Sequence, residues 1–565
     1  MASLRGLLLG LALLLVQPGA SLGQDELLAP AQDIVRLNAV IAEQRPAFTP
    51  PQGVTGITVP HHLLAADLIA RGFWAASAGD YDRIILLAPD HFRAVKGAFA
   101  TTYEDLSTVF GAVQSDDASI ARLLAAPEIF ERLDTVADEH GLMAVAPFIA
   151  QFFPDAVVVP VLGSINATEA DWRAAADALA PLLDGRTLIV QSTDFSHYRP
   201  LSEAIARDQE TLAAIAAGDP LAIDALLQPS HLDSKASQFI QTALQSEVFR
   251  AHPVVVANRN SAEYGSNLQS TTSYVVTVFV ADPAAGSVFD YPDQTRVFFA
   301  GDVLLGRFML PALRDATSWN AIADTVLAQT QGAPLIVNLE GVLLNEAVTG
   351  VDFGAHVMVT EIAAPILTEL NVAAAGLANN HANDLGETGL AESIRLLADI
   401  GITPLQHGRL NDLGAFRLIA LNFLHGKFAG DLVAEPHALE FICGLAADPP
   451  LIAFVHWGGE YTARPGAKEQ EIAERLVECG VSLIVGAHSH QASAAIQPLS
   501  GGTGQLVFSL GNFLFDQSAP RGSGALMELR IFQQGTFATR LLPIANLFDL
   551  GRSVLETNER LDTQG

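Results

Sequence analysis

Side chains that can bind metal ions follow apolar, strand-like runs at five places in the second half of the chain. Asp302 ends RVFFAGD, Glu340 ends PLIVNLE, and His456 lies near the end of LIAFVHWG. An H-x-H pair, His488 and His490, follows SLIVGA. Carboxylate, amide and imidazole groups are the ligands expected for borderline divalent metals such as Zn, Mn or Fe. Because one strand cannot supply a complete shell, these residues predict a metal centre at which several strand ends converge.

The fifth place is the stretch GLANNHANDLG, which carries Asn379, Asn380, His381 and Asp384. Further polar side chains with the same placement are Asn338, Glu460 and Asn512. In an extended chain, H-x-H places both rings on one side, about 7 Å apart. That separation suits two neighbouring metal ions, or one metal ion and a substrate contact. Two metal ions about 3.5–4 Å apart can clamp a tetrahedral reacting centre and generate hydroxide near neutral pH.

The first half of the chain has four smaller clusters of the same residue types. They are His61 with His62, Asp90 with His91, Glu139 with His140, and Asp194 with Ser196 and His197. Histidines and acids at strand ends predict a three-ligand metal site with an open position, as non-haem iron and zinc chemistry require.

Strand-like and helix-like stretches alternate along the chain, which predicts an α/β fold. RIILLAP (83–89), AVVVPVLG (156–163) and TLIVQSTD (187–194) are apolar runs, and ADWRAAADALAPLL (170–183) is helix-like. Continuous Val, Ile and Leu runs are typical of strands that are covered on both faces. The ends of such strands are where α/β proteins usually place their chemistry.

Composition limits the possible partners. The 565 residues include 62 acidic and 31 basic side chains, which gives a formal net charge of −31. Such a surface repels nucleic acid and anionic lipid, so neither is an expected partner. An anionic substrate would need a local positive centre, and a bound metal ion is the obvious candidate. The length predicts at least two domains.

A connector rich in Pro, Gly and Asp, ADPAAGSVFDYPDQT, predicts the boundary between the two halves. We expect domains at 24–282 and 296–548, a linker at 283–295 and a flexible tail at 549–565. Residues 1–23 have the order of a secretory signal peptide, with Arg5, an apolar run and a small-residue stretch. The protein is therefore predicted to be secreted or periplasmic, with membrane contact only through an uncleaved signal sequence.

Two cysteines and four histidines match no metal-binding pattern. Cys443 and Cys479 form either one disulfide or a pair of buried free thiols. The four histidines are interpreted as surface or packing residues: His356, His407, His425 and His437.

The second half resembles the CapA family in six ordered motifs: GDVLLGR, NLEGVLL, ANNHANDLG, VHWGGEY, GAHSHQ and LGNFLFD. That family is named for poly-γ-glutamate capsule synthesis and is related to calcineurin-like metallophosphatases. The resemblance implies a sandwich of two sheets flanked by helices, with two divalent metal ions. It assigns one ion to Asp302, Glu340 and His490. It assigns the other to Glu340, Asn380, His456 and His488.

The same resemblance implies roles for the remaining motif residues. His381, near Asp384, is the expected proton donor or transition-state stabiliser. The expected substrate contacts are Asn338, Asn379, Glu460 and Asn512. Two motifs depart from the phosphatases: Leu304 stands where their first motif, D-x-H, has a histidine, and Asn338-Leu339-Glu340 replaces G-D-x-x-D. Phosphoesterase activity therefore does not follow from the fold, and ester, amide and phosphate bonds of an envelope polymer all stay open.

The first half resembles the Memo family, also called AmmeMemoRadiSam system protein B, whose fold is related to extradiol-type non-haem iron dioxygenases. DFSHY and the strand-then-histidine pattern carry this resemblance. It implies one metal ion held by His61, His91 and His197. It also implies a pocket lined by Asp194, Glu139 and His140. The family usually has a Cys near the segment HLDSKASQF (231–239), which has none here, so thiol chemistry is excluded.

Three functions follow from these patterns. The first is an exported metal-dependent hydrolase that processes an anionic capsule or cell-envelope polymer of the poly-γ-glutamate type. The second is a non-catalytic, metal-dependent binding or assembly factor for such a polymer. The third is a non-haem-iron oxidoreductase that works through the first half. No G-x-S-x-G elbow or phosphate-binding glycine loop supports serine-hydrolase or nucleotide chemistry. The oligomeric state is open.

Overall fold

The computed structural model describes residues 30–265, 267–352, 354–424, 436–445, 449–499 and 504–564. The predicted signal peptide and His425 lie outside these residues, and so does the side chain of His437. Within the described part of the chain, no helix is both long enough and apolar enough to cross a lipid bilayer.

The first half is built on one mixed sheet of nine strands. The strands of this half are β1 (Val54–Val59), β2 (Arg83–Pro89), β3 (Phe99–Thr101), β4 (Leu106–Thr108), β5 (Gly111–Val113), β6 (Phe130–Arg132), β7 (Val157–Gly163), β8 (Thr187–Ser192), β9 (Phe195–Arg199), β10 (His252–Asn260) and β11 (Thr271–Val280). The sheet order is β10-β11-β1-β8-β2-β7-β3-β6, with β9 paired to β11, while β4 and β5 form a separate hairpin. The four central strands β1, β8, β2 and β7 are parallel. Their carboxyl ends therefore meet at one edge, where the sequence places its histidines.

Helices cover both faces of this sheet. They are α1 (Pro30–Glu43), α2 (Ala66–Ala76), α3 (Asp117–Leu123), α4 (His140–Met143), α5 (Ala146–Phe152), α6 (Glu169–Leu179), α7 (Leu201–Ala217), α8 (Pro220–Asp224) and α9 (Lys235–Ala243). Phe73 and Phe148 pack beneath α2 and α5 on one face. Trp172, Leu212 and Phe239 pack beneath α6, α7 and α9 on the other. The unbroken apolar strands are explained by this double coverage.

The second half contains two larger sheets packed face to face. Its strands are β12 (Gln294–Val303), β13 (Leu335–Leu339), β14 (Val342–Leu344), β15 (Val357–Val359), β16 (Val372–Gly376), β17 (Thr403–Leu405), β18 (Leu410–Asp412), β19 (Arg417–Asn422), β20 (Leu451–His456), β21 (Val481–Ala487), β22 (Gln497–Leu499), β23 (Gly504–Val507), β24 (Asn512–Leu514), β25 (Gly524–Phe532) and β26 (Phe537–Ile544). One sheet has the order β17-β16-β13-β12-β25-β26, with β24 paired to β12. The other has the order β18-β19-β20-β21-β23-β22. Phe299, Phe454 and Val485 belong to the apolar core between them.

Helices pack on the outer faces of these two sheets. They are α10 (Leu310–Arg314), α11 (Ala316–Thr330), α12 (Thr360–Glu369), α13 (Gly386–Asp399), α14 (Ala467–Glu478) and α15 (Leu547–Gln564). Trp319 of α11 and Leu397 of α13 belong to the core on the first sheet, and Leu476 of α14 belongs to the core on the second. The predicted α/β class and the double-sheet sandwich flanked by helices are therefore confirmed.

Three stretches resolve or change expectations from the sequence. Cys443 and Cys479 are joined in a disulfide, one of the two states left open. Residues Pro283–Val288 of the expected linker form a 3-10 helix. The tail expected to be flexible, 549–565, lies largely within α15, which begins with Leu547 and Phe548 in the apolar core.

A buried charge cluster joins the last strands to the connector between the halves. We call Glu528, Arg296, Arg530 and Arg540 the arginine cluster. Glu528 accepts hydrogen bonds from Arg530 at 2.7 Å and from Arg540 at 2.8 Å. The arginines also donate to backbone carbonyls of residues 283–289. All four side chains are at least nine-tenths buried, so their charges depend on one another.

Gly301 allows two strands to approach closely beside Asp302. A Cβ at this position would overlap the backbone carbonyl of Gly511, which cannot move like a side chain. We expect Gly301→Ala to lower the free energy of unfolding by about 1–3 kcal/mol, measured by urea denaturation of the full chain. Gly185→Ala is the control, because nothing lies within 4 Å of its added Cβ. Equal losses in both variants would contradict the close approach.

Candidate metal centres

Asp302 lies at the base of the site in the second half. Its Oδ1 accepts a hydrogen bond from Asn338 Nδ2 at 2.8 Å, and its Oδ2 accepts one from the backbone N–H of His488 at 3.1 Å. The Nδ1 of His490 lies 3.3 Å from Oδ2. Asp302 is buried at the end of β12, and Asn338 lies opposite it in the register of β13. Strand pairing therefore fixes this carboxylate where the other strand ends converge.

Glu340 is the shared member of three groups of ligand atoms. In each group the atoms lie within 4.8 Å of one another. The groups are Asp302 with Glu340 and His490, Glu340 with His456 and His488, and Glu340 with His356 and His381. Glu340 is buried, and its Oε2 has no hydrogen-bond partner. Burial, reinforced by the charge of Asp302, raises the pKa of Glu340 well above its usual value. A bound cation would compensate both effects.

His456 contributes an imidazole from the end of β20. Its Nε2 lies 2.8 Å from Asn380 Oδ1 and 3.9 Å from Glu340 Oε1. Its Nδ1 lies 3.2 Å from the side-chain nitrogen of Asn338. Burial, followed by the neighbouring His488, lowers its pKa well below the usual value. His456 is therefore neutral at pH 7, as a metal ligand must be.

His488 and His490 are not in extended chain, so the ring separation of an extended H-x-H pair does not apply to them. Their φ angles are 93° and 58°, both in the left-handed region, because the chain turns as it leaves β21. The ring centroids are 6.0 Å apart. Such conformations cost about 1–3 kcal/mol each for non-glycine residues and are concentrated at functional sites. With these backbone angles, His490 lies in the group with Asp302 and Glu340, and His488 lies in the group with Glu340 and His456.

The two rings also differ in their protonation. Burial lowers the pKa of His488 to about 4. Burial acts in the same direction on His490, but its hydrogen bond to Asp302 and the charge of Glu340 outweigh it and raise the pKa to about 9. His490 therefore carries a proton at pH 7 in the metal-free protein, and metal binding would displace that proton.

His381 and Asp384 form a pair beside the candidate metal ligands. The Nδ1 of His381 lies 2.9 Å from Asp384 Oδ2. The ring of His356 stacks on His381 with centroids 3.6 Å apart, and the backbone N–H of His356 donates to Asp384 at 2.6 Å. Burial, followed by the charge of His381, lowers the pKa of His356 to about 2. Of the two interpretations of His356, surface or packing, the packing one holds, and the ring packs inside the site, in one of the groups of candidate ligand atoms.

The predicted substrate contacts occupy different positions. Asn379 and Asn338 are buried beside the candidate ligands, and Asn379 Nδ2 donates to Asn338 Oδ1 at 3.2 Å. Asn512 Oδ1 lies 2.7 Å from His490 Nδ1. These contacts favour roles in positioning ligands over the predicted contact with substrate. Glu460 is exposed, and its charge contributes to the raised pKa of Glu340.

The histidine cluster in the first half lies at the common edge of the parallel strands. His61 follows β1, and its Nε2 lies 3.7 Å from Asp194 Oδ2. His91 follows β2, and its Nδ1 lies 2.6 Å from Glu139 Oε1. The ring of His140 stacks on His91 with centroids 3.8 Å apart, and one nitrogen from each of His61, His91 and His140 falls within 4.8 Å of the others. His140 was predicted to line the pocket, and it lies close enough to His61 and His91 to be a third candidate ligand.

Sequence reasoning missed one acid of this cluster. Asp233 Oδ2 lies 3.1 Å from Nε2 of His61, 3.8 Å from that of His91 and 3.7 Å from that of His197. Asp233 belongs to the segment HLDSKASQF, which has no Cys. Its charge, with that of Glu139, offsets the effect of burial and raises the pKa of His91 to about 10. The acidic side chain in that segment was the one feature of the sequence that could have predicted this member of the cluster.

Comparisons with known proteins agree with both sets of motifs. The family model described as Memo-like protein matches residues 31–278. The model described as bacterial capsule synthesis protein PGA_cap matches residues 296–414 and 437–517.

Individual relatives match one half or the other. PGA biosynthesis protein CapA of Bacillus subtilis is 26% identical over 277 residues, which are 45% of this chain and 72% of that protein. Capsule biosynthesis protein CapA of Bacillus anthracis is 25% identical, over 34% of this chain and 52% of that protein. A MEMO1 family protein of Caldivirga maquilingensis is 26% identical, over 29% of this chain and 60% of that protein. Together with the family models, these matches show that the chain joins a Memo-like domain to a following PGA_cap domain, in the order that the motifs predicted.

Proposed function

We propose that the PGA_cap domain is a metal-dependent hydrolase that acts outside the cytoplasm on an anionic capsule or cell-envelope polymer of the poly-γ-glutamate type. One observation carries the proposal. The buried carboxylate of Glu340 has an oxygen without a hydrogen-bond partner and is shared by three groups of ligand atoms. A buried carboxylate of this kind, among imidazoles and beside a second carboxylate, is unfavourable without a cation.

The residues present fit a pair of divalent ions such as Mn, Zn or Fe. Asp302, Glu340 and His490 would hold one, and Glu340, His456 and His488 would hold the other. The Nδ1 of His488 is a second buried atom without a partner in this region. Divalent ions at such a centre supply Lewis-acid polarisation of the scissile bond and lower the pKa of water.

The chain's own residues orient the proton-transfer group. Asp384, whose side chain is fully buried, fixes the ring of His381 through its Nδ1, and His356 packs flat against that ring. His381 is the partly exposed member of this trio, so it is the one that meets substrate. We assign it the transfer of a proton to the leaving group.

The substrate class rests on charge and on the relatives. The chain has a formal net charge of −31, so most of its surface repels a polyanion. A polyanion would therefore make its main contact at a positively charged metal centre. Two relatives of this domain are named for PGA and capsule biosynthesis. The predicted signal peptide is consistent with work on a polymer outside the cytoplasm.

The proposal is tested on the full chain with a double variant, His456→Ala with His488→Ala. Metal content is measured by mass spectrometry, and hydrolysis of a simple phosphodiester and of poly-γ-glutamate is followed. We expect the variant to lose about one metal equivalent and to slow turnover by more than about 100-fold. His252→Ala, at an exposed strand start, is the control and should change neither.

Each outcome separates the candidate functions. Unchanged metal content in the double variant would contradict the ligand assignment. A wild-type protein that holds its full complement of metal but turns over neither substrate would favour the non-catalytic binding or assembly factor.

A further inference from the structure

We propose that Arg307 and Arg521 form a carboxylate-binding site at the mouth of the candidate metal centre in the PGA_cap domain, where they bind neighbouring carboxylates of an acidic polymer. We call these two residues the mouth arginines. Both are exposed. The inference rests on the proposed function for the class of polymer, but it concerns binding and not cleavage.

Each mouth arginine lies one aromatic ring away from the candidate ligand His490. The guanidinium carbon of Arg307 lies 5.9 Å from the ring centre of Phe515, which lies 4.7 Å from that of His490. The guanidinium carbon of Arg521 lies 5.8 Å from the ring centre of Tyr461, which lies 6.1 Å from that of His490. The two cations therefore reach the metal centre across two different rings.

Arg307 is held along one edge of its guanidinium group. Its Nε donates to Asp516 Oδ2 at 3.0 Å, and its Nη2 donates to Asp516 Oδ1 at 2.6 Å. The side chain of Asp516 is fully buried, so this pair fixes the direction of the guanidinium group. A guanidinium group has more N–H donors than one carboxylate accepts. The edge formed by Nη1 and Nη2 is left for a second carboxylate, which binds such an edge through two parallel hydrogen bonds.

Arg521 has no acidic partner in the described part of the chain, although the protein has twice as many acidic as basic side chains, 62 against 31. Its contact is with the ring of Tyr461, which is itself exposed. A guanidinium group that lies over an aromatic ring keeps its N–H donors for a ligand. Arg521 is therefore available to an anion from solvent.

The backbone beside these side chains is tied to the turn that carries the candidate ligands. Arg307 and Tyr461 have φ angles of 45° and 63°, both in the left-handed region, and such angles are concentrated at functional sites. The backbone N–H of Tyr461 donates to the carbonyl of Ser489 at 2.6 Å, between His488 and His490. The ring under Arg521 is thus positioned directly by the H-x-H turn.

Directed hydrogen bonds, and not an excess of positive charge, must carry the recognition. Glu460 is exposed next to Tyr461, and Asp516 pairs with Arg307, so acids and arginines are balanced at this mouth. The planar fork of arginine matches a carboxylate, whereas the ammonium group of lysine acts as a point charge. The ligand class is therefore a chain with closely spaced carboxylates, such as a peptide of γ-linked glutamates.

Fluorescence anisotropy of a labelled hexapeptide of γ-linked glutamates, read before any cleavage, measures its affinity for the metal-loaded full chain. Arg307→Gln should weaken binding by about 10-fold, Arg307→Lys by about 5-fold and Arg521→Gln by about 3-fold. Arg395→Gln removes the same charge from an exposed position on α13 and is the matched control. It should change the affinity by less than about twofold.

A second peptide, with its carboxylates amidated, separates recognition from structure. It should bind weakly, and equally to the wild type and to every variant. Unchanged affinity of Arg307→Gln for the acidic peptide would overturn the assignment, and so would an equal loss for both peptides, which indicates a distorted loop. If Arg307→Gln loses metal or unfolds, Arg521→Gln decides, because it breaks no ion pair.

Failure of this inference is distinguishable from failure of the proposed hydrolase. Binding that depends on the mouth arginines, without cleavage of the peptide, would support this site and refute only the hydrolase. Cleavage with an affinity that is the same in the wild type and in Arg307→Gln would refute only this site.

Discussion

A Glu340→Gln protein is expected to lose about two metal equivalents and to hydrolyse its substrate more than about 100-fold more slowly than the wild type. Glutamine keeps the size of the side chain but removes the charge that both ions would share. Glu340→Gln should lose more metal than the double histidine variant. His456 and His488 belong to one group of candidate ligand atoms, whereas Glu340 belongs to three. Metal content of the full chain and turnover of the same substrates are the measurements.

Glu387→Gln is the control for this prediction, because Glu387 lies exposed in the first turn of α13. Circular dichroism should show both variants folded. Removing a buried charge beside Asp302 should make the metal-free protein no less stable, since burial already disfavours the ionised form of Glu340. A Glu340→Gln protein with its full complement of metal would refute the shared-ligand arrangement.

Replacing Glu528 by glutamine is expected to lower the free energy of unfolding by about 3–5 kcal/mol. The substitution leaves three buried arginines with only the exposed carboxylate of Asp290, 3.6 Å from Arg296 Nε, nearby. Loss of one partner from a buried ionic cluster is among the costliest single changes. Urea denaturation of the full chain measures the effect. Glu392→Gln breaks an exposed pair with Arg395 at 2.8 Å and should cost less than about 0.5 kcal/mol. Similar small losses in both variants would show that the arginine cluster is not a buried charge network.

The same cluster predicts acid sensitivity. Burial alone would raise the pKa of Glu528, but Arg530, Arg540 and Arg296 outweigh it and lower the pKa to about 2. The folded value lies below the ordinary value of about 4.3, so the contribution to stability is present above that pH. It is lost as the pH falls toward 2. The free energy of unfolding of the wild type should therefore fall more steeply between about pH 4.5 and 2 than that of the Glu528→Gln variant.

The strands could be predicted closely from the sequence because their apolar runs are unbroken. RIILLAP coincides with β2, and TLIVQSTD and LIAFVHWG begin where β8 and β20 begin. The polar residue after each run then marks the site, because parallel strands bring their carboxyl ends together. Local pattern and architecture agree at these positions, so the sequence alone was enough to predict that Asp302, Glu340 and His456 lie together as candidate ligands.

Other parts of the two sites could not be predicted from local pattern. Asp233 and His356 do not follow a long apolar run, since His356 precedes the short strand β15, and only the folded chain brings them to their clusters. The spacing considered for the H-x-H pair was that of an extended chain, whereas the chain turns directly after β21, where Gly486 approaches the carbonyl of Phe508. Side-chain spacing along a strand does not apply where the strand has ended.

The hydrogen bonds from the arginine cluster to residues 283–289 determine where the chain can be divided. Arg530 donates to Phe289 and Gly286, and Arg540 donates to Pro283 and to Ser287. A PGA_cap fragment that starts at residue 290 would lack these acceptors and leave guanidinium groups unsatisfied in its interior. A fragment that starts near residue 280 retains them. The second half therefore needs residues 283–289, although Phe289 and Tyr291 of the same peptide also pack in the core of the first half.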